Sequence, residues 1–332
     1  MSRTSDRLLA ILRGSGGPVS GPELARKLRV SRAAVWKHVR HLASRGYRIS
    51  SENPGGYRLE QAPDRLLPAE ILSRLGARRI GRTIHHYDVI DSTNRRAMEL
   101  ARQGAAEGEV VVAEAQSRGR GRLGRSFFSP AGVSLYASII LRPPIPPAQA
   151  PQLTLVAGLA VAETVARHGG EQPRLKWPND VLLGGLKVAG ILTEMESEAD
   201  RVLHVICGPG VNLNVPAEEF PAELRKIATS VFAATGRRID RPAFAADLFS
   251  AFERLYDEFL QGGFARLRGR WEALAVLTGR RVVVEGIGDR VEGTVVGIDE
   301  EGALRVRTRA GAVSRVVSGD VTLAKGRRPR DG

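Results

Sequence analysis

The sequence predicts an α+β protein built of three successive parts, and three observations carry that prediction. Residues 1–60 hold short helical patterns and a hairpin, and there twelve Lys and Arg stand against four Asp and Glu. The centre alternates apolar β-type runs with helical patterns around an arginine- and glycine-dense stretch, Arg118–Arg125. From Arg281 onward short β runs follow one another with turns between them. Boundaries fall at 1–63, 64–276 and 277–325, with a disordered tail expected at 326–332.

At 332 residues and 42% hydrophobic content the chain is long enough for two or three real cores. The single Cys207 excludes a disulfide framework and a cysteine zinc site. No apolar run reaches membrane-spanning length and no signal peptide is visible, so a cytoplasmic protein with no membrane partner is expected. Eight of the fourteen surplus positive charges lie in the first sixty residues, which points that part toward nucleic acid.

In the N-terminal part, Asp6–Leu12 reads as an amphipathic helix broken by Gly14–Pro18. Ser20 is a fitting N-cap for a second helix with Pro22 in its first turn, and Leu24, Ala25 and Leu28 face inward. Ser31 caps a third helix to about Ala43, with Val35, Val39 and Leu42 as its apolar stripe. Two short helices about a tight turn, then Tyr47–Ile49 and Tyr57–Leu59 around an Asn53–Gly56 turn, describe a winged helix-turn-helix. Ser31, Arg32, Lys37 and Arg58 are the candidate DNA contacts. A small protein-binding helical domain is the competing reading. His38 and His41 lack cysteine or carboxylate company and read as surface or phosphate-contacting residues rather than as a metal pair.

In the central part, Ile84–Val89 reads as a strand, followed by Asp91, Ser92, Thr93 and Asn94 and a helix through Gln103. Any of Asp91, Ser92 or Thr93 can cap that helix, and the same hydroxyls can bind a polar head group. The strands Glu109–Ala113 and Val133–Leu141 enclose Arg118–Arg125, four arginines and three glycines in eight residues. Glycine lets main-chain N–H groups approach a ligand, and guanidinium forks match carboxylate and phosphate oxygens, so this is an ordered anion-binding loop. No Walker lysine motif accompanies it. A helix over about 149–167 leads to two strands carrying Lys176 and Lys187, with Asn179 and Asp180 at the turn between them. Both lysines are flanked by residues that read as buried strand, and a buried lysine needs a carboxylate or an anion as partner. A third strand over Val202–Ile206 runs into a Gly208–Asn214 turn.

In order and company, Asp91–Asn94, Glu114–Arg125, Lys176–Asp180, Lys187–Leu192 and Gly208–Asn212 resemble the biotin protein ligases. With a winged helix ahead of them, they resemble the two-function form that is also the biotin operon repressor. The resemblance spans nearly the whole chain. It implies a class II synthetase-like mixed sheet in the centre and an SH3-like barrel at the C-terminus. It also implies a two-step reaction, in which biotin and MgATP give biotinyl-5′-AMP, and a carrier-domain lysine then attacks the anhydride. Biotin, ATP and Mg²⁺ are thus implied, with no metal site of the protein's own. The implied partners are a biotin carboxyl carrier protein, operator DNA and, once the adenylate is bound, a second copy of the chain.

Carried over by position, Ser92, Thr93, Asn94, Gln116, Arg120, Gly121, Arg122, Lys187 and Gly190 hold biotin. Arg122, Arg125, Lys176, Asn179 and Asn212 hold ATP or the adenylate, and Lys187, Arg120 and Asp180 are catalytic. Phe127 stands where the family usually has tryptophan, and Pro209 interrupts the Gly208–Asn212 motif. The glycines imply that the arginine loop closes over its ligand. Two other readings remain: a lipoate or octanoate ligase of the same fold, and a ligase whose DNA-binding domain does not function. Phe249, Phe252, Tyr256, Phe259, Phe264 and Trp271 in the helices that follow read as core. Five short strands over about fifty residues then read as a small barrel.

Overall fold

A computed structural model of the chain describes residues 3–52, 55–286 and 290–324. Asn53 and Pro54 of the expected turn and the tail from Lys325 lie outside the described residues. The chain forms two compact units, Met1–Arg65 and Leu66 onward.

The first unit is α1 (Arg3–Gly14), α2 (Gly21–Leu28), α3 (Arg32–Ser44), β1 (Arg48–Glu52) and β2 (Gly56–Gln61). Ser20 Oγ accepts from the Glu23 amide at 3.3 Å and Ser31 Oγ from the Ala34 amide at 3.2 Å, so both capping serines do what their sequence context predicts. Arg29 takes a left-handed conformation (φ 57°) that ends α2 and turns the chain into α3. Leu8, Leu9, Leu12, Leu24, Leu28, Val35, Val39 and Leu42 are the buried faces of the three helices. The antiparallel β1–β2 pair is the wing.

The second unit is organised on a seven-stranded mixed sheet, order β3-β4-β5-β9-β8-β7-β6. Its strands are β3 (Ile84–Ile90), β4 (Val110–Gln116), β5 (Ser134–Leu141), β6 (Arg174–Lys176), β7 (Asp180–Leu183), β8 (Leu186–Glu198) and β9 (Arg201–Asn212). Only β3–β4 is parallel. The helices are α4 (Pro68–Leu72), α5 (Thr93–Arg102), α6 (Gln152–Gly169), α7 (Val231–Thr235), α8 (Arg241–Gly262) and α9 (Ala265–Leu274). Ala97 and Ala101 of α5 pack against Val111, Ile140 and Ile206 on one face. α6 and α8 bury their apolar residues with Val112, Ile139 and Cys207 on the other. Phe249, Phe252, Tyr256, Phe259, Phe264 and Trp271 all lie in that core.

Five antiparallel strands complete the chain: β10 (Arg281–Glu285), β11 (Arg290–Ile298), β12 (Leu304–Thr308), β13 (Val313–Val316) and β14 (Asp320–Leu323). Their order, β13-β12-β11-β10-β14, leaves the barrel-like sheet open between β13 and β14. Val282, Val295, Leu304 and Val306 belong to the same apolar cluster as the central sheet. Trp177 Nε1 also donates to the Gly302 carbonyl at 3.0 Å. The C-terminal sheet is therefore packed against the core of the central sheet.

Two elements differ from the sequence expectation. α6 begins at Gln152, because Pro147–Gln149 forms a separate 3-10 turn. Gly208–Asn212 is no turn but the end of β9, with Leu192, Ile191 and Gly190 of β8 facing Gly208, Pro209 and Gly210. Proline lacks the N–H a second ladder needs. The β5–β9 pairing accordingly passes from Ile139–Cys207 to Tyr136–Gly210 and skips the residues between. That opening lies at the floor of the site described next.

Candidate active site

Two adjoining cavities lie over the ends of β4, β8 and β9. The narrower one, about 30 Å³, is lined by Ser92, Thr93, Asn94, Gln116, Phe127 and the Gly208–Gly210 segment, among others. The wider one, about 230 Å³, is lined by Arg120, Arg122, Arg125, Lys176, Asp180 and Lys187, among others. Arg120, Phe127, Gly190 and Leu192 belong to both. A polar slot thus opens into a cationic chamber.

The slot is built by an unusual helix start. Ser92 is the N-cap of α5 but its hydroxyl makes no capping bond. Instead the Gln116 side-chain carbonyl accepts from the Thr93 amide at 2.8 Å and from the Thr93 hydroxyl at 3.1 Å, while Gln116 Nε2 donates to Ser129 Oγ at 3.1 Å. A neighbouring strand thus takes over a capping role that Asp91, Ser92 or Thr93 was expected to fill. Asn94 Nδ2 donates to the Leu192 carbonyl at 3.0 Å and to Glu194 at 2.9 Å, and Ser138 Oγ lies 2.6 Å from Asn94 Oδ1. Glycine is required at Gly208, where a Cβ would collide with the Asn94 amide, and at Gly210, where one would lie 2.8 Å from the Phe127 ring. Phe127 thus closes the slot.

The chamber gathers charge from four segments. A bulge between Val181 and Leu182 shifts the β7–β8 register and re-aims the strand beside Lys187. Lys187 Nζ lies 2.6 Å from Asp180 Oδ1. Its backbone is held by Ile227 and Thr229, each through a 2.9 Å bond. Arg120 pairs with Glu194 at 3.0 Å, and Arg125 pairs with Asp320. Arg122 Nη1 donates to Asn179 Oδ1 at 3.3 Å and to the Gly319 carbonyl at 3.4 Å. Burial works against the Arg122 charge and lowers its pKa below the ordinary arginine value; Asp320 and Asp180 oppose that shift and Arg125 adds to it. The loop carrying these arginines is a short hairpin: Phe127 N–H donates to the Gly119 carbonyl at 2.9 Å and Gly121 N–H to the Arg125 carbonyl at 2.7 Å. Leu123 sits at its exposed tip with φ 54°.

Of the residues singled out from sequence, Ser92, Thr93, Asn94 and Gln116 come together in the slot. Arg120 and Gly190 lie at the junction, and Gly121, Arg122, Arg125, Lys176, Asn179, Asp180 and Lys187 line the chamber. Asn212 does not join them. It is buried, and its Nδ2 donates to the Thr229 carbonyl at 3.0 Å, securing the segment that pairs with Lys187. In the first unit Arg32, Lys37 and Arg58 are exposed, while the Ser31 hydroxyl is occupied by its cap.

Sequence reasoning missed Glu194, which ties Asn94 to Arg120, although the two-residue period of a strand puts it on the same face as Gly190 and Leu192. It also missed the partner of Glu114. Arg241, 1% exposed, donates to Glu114 Oε2 at 2.9 Å, and the Leu66 amide donates to Oε1 at 2.8 Å with the His86 ring 3.3 Å away. Burial alone would raise the Glu114 pKa, but the His86 and Arg241 contacts and the Leu66 amide outweigh it and hold the carboxyl at about 2. A depressed carboxylate stabilises the fold above its unfolded pKa and loses that contribution as pH falls through the folded one. Glu114→Gln is therefore expected to cost about 3 to 5 kcal/mol at neutral pH, and the deficit to shrink toward pH 2. Denaturant unfolding at several pH values tests this; a pH-independent deficit would contradict it.

Set against known proteins, residues 87–212 match the model of the biotin/lipoate A/B protein ligase family. Residues 4–58 match a helix-turn-helix domain and 277–323 the biotin protein ligase C-terminal domain. The bifunctional ligase/repressor BirA of Bacillus spizizenii is 40% identical over 305 residues, covering 92% of this chain and 94% of that protein. The BirA of Escherichia coli is 33% identical and covers 96% of each. The solved biotin protein ligase of Aquifex aeolicus, in complex with biotin and ATP, superposes with a TM-score of 0.64 at 29% identity, covering 74% of this chain and all of that one. The chain belongs to the biotin protein ligase family, in its bifunctional ligase/repressor form.

Proposed function

We propose that the chain joins biotin to a lysine of a biotin carboxyl carrier protein through biotinyl-5′-AMP, and that its helix-turn-helix unit represses transcription of biotin operon genes. The observation that carries the enzymatic half is the slot opening directly into the cationic chamber. Attack of a carboxylate on an α-phosphate brings two anions together, and the barrier falls where fixed cations meet the developing charge. Lys187, Arg120, Arg122 and Arg125 supply those cations. The hydroxyls and amides of Ser92, Thr93, Asn94 and Gln116 suit a ureido-type head group. Phe127 and Arg120 border both cavities, and the loop they flank acts as a lid over the bound acid. Asp180, beside Lys187 Nζ, is the group that orients the incoming carrier lysine or takes its proton.

Mg²⁺ enters with the nucleotide. Among the described residues no group of three or more His, Cys, Asp and Glu side chains is placed to hold a metal, and Asp180 and Asp320 already pair with Lys187 and Arg125. Among the same residues no helix is long and apolar enough to cross a membrane. The regulatory half further assigns a homodimer formed when the adenylate is bound.

ATP–pyrophosphate exchange separates biotin from lipoate or octanoate as the acid. Exchange with biotin alone is expected, and equal exchange with lipoate would overturn the substrate assignment. The repressor half predicts that biotin and ATP tighten binding to operator DNA; unchanged affinity would overturn it.

A further inference from the structure

On α3 one helical face carries positive charge with no acidic partner among the described residues. Val35, Val39 and Leu42 are buried, while Arg32, Ala33, Trp36, Lys37, Arg40 and His41 are exposed. The helix contains no Asp or Glu. Among the described residues no carboxylate lies within ion-pair distance of Arg32, Lys37 or Arg40, whereas arginines of the ligase unit such as Arg74, Arg79 and Arg102 are paired. His38 is not part of that face's chemistry, because its ring bonds Ser5 Oγ at 3.0 Å within the domain. In the middle of this face Trp36 is 51% exposed, and the Arg40 guanidinium lies over its ring, 5.0 Å from the centroid.

This arrangement is specific in its physics. An exposed arginine loses several rotatable bonds' worth of freedom when it engages a ligand, and stacking on an indole removes part of that loss beforehand. A tryptophan ringed by unpaired cations is a poor anchor for an apolar protein partner and a good support for a guanidinium aimed at an acceptor edge. Guanine offers that edge in the major groove, with O6 and N7 spaced for a bidentate fork.

We propose that Arg40 is the residue by which the recognition helix reads a guanine, and that Trp36 positions it by holding the guanidinium against its ring. Arg32 and Lys37, on the same face, then contact phosphates. The inference rests on the repressor reading and names the residues that give it sequence preference. Trp36 is a positioning residue; Arg40 determines specificity.

The test uses the full chain with biotin and MgATP. Selection from a randomised duplex pool gives a preferred site, and dissociation constants are measured on it and on versions with each guanine replaced. Wild type is expected to discriminate against one such replacement by on the order of 10- to 100-fold. Arg40→Ala should bind that pair of duplexes equally, at the level wild type shows for the replaced one. Trp36→Ala should keep the guanine preference at several-fold lower affinity, and Trp36→Phe should restore most of it. Lys37→Ala serves as the phosphate control, weakening all duplexes alike and lowering the salt slope by about one. If Arg40→Ala behaves like that control and keeps every base preference, the assignment is overturned. Trp36→Ala binding like wild type removes the positioning role. Wild type with no base preference at any position would sink the repressor reading and this inference together.

Discussion

Lys187→Ala is expected to slow biotin adenylation by on the order of 10²- to 10³-fold while leaving the fold intact. The side chain is only a third exposed and lines the chamber, 2.6 Å from Asp180, so its loss removes one of the chamber's fixed cations. The backbone at this position is held independently, by the Ile227 carbonyl and the Thr229 amide, and survives truncation of the side chain. An interaction made mainly in the transition state lowers turnover more than it raises the KM for biotin. Pyrophosphate exchange with purified variant, alongside thermal unfolding, checks both halves. Near-normal exchange in a folded variant would overturn the catalytic role given to Lys187.

Replacing Arg122 with alanine is expected to let the adenylate escape. Its guanidinium bonds Asn179 and the Gly319 carbonyl, so one side chain joins the arginine loop, the turn before β7 and the bend between β13 and β14. It lines the chamber and also a cavity of about 310 Å³ behind Trp177. Truncating one member of a partly buried charged contact raises dissociation rates most, here on the order of 10²-fold. Biotinyl-AMP made by the variant should separate from it on gel filtration and label lysines of bystander proteins. Retention equal to wild type would show that the loop is held shut by other residues, Arg125 and Asp320 first among them.

Much of this was legible in the sequence because local rules act alone there. The capping serines Ser20 and Ser31, the apolar stripe of α3 and the alternating strands of the C-terminal sheet follow from neighbours along the chain. What was hidden depends on residues distant in sequence. Gln116 caps α5 from another strand, Glu194 joins Asn94 to Arg120, and Arg241 supports Glu114 across more than a hundred residues. Pro209 misdirects a local reading: proline and two glycines suggest a turn, yet strand pairing with β8 holds them extended while the β5 ladder opens beside them. Asn212, carried over by position to the nucleotide, lines neither cavity, and its Nδ2 donates to the Thr229 carbonyl.

The central claim is that slot and chamber make an acyl-adenylate and pass it to a carrier lysine. Incubation of the chain with biotin, MgATP and a purified carrier domain, followed by intact-mass measurement, tests it most directly. One biotinyl group should appear on one lysine of the carrier, none should appear without ATP, and the Lys187→Ala variant should give little. A carrier whose mass is unchanged, or one modified equally well by lipoate, would contradict the account.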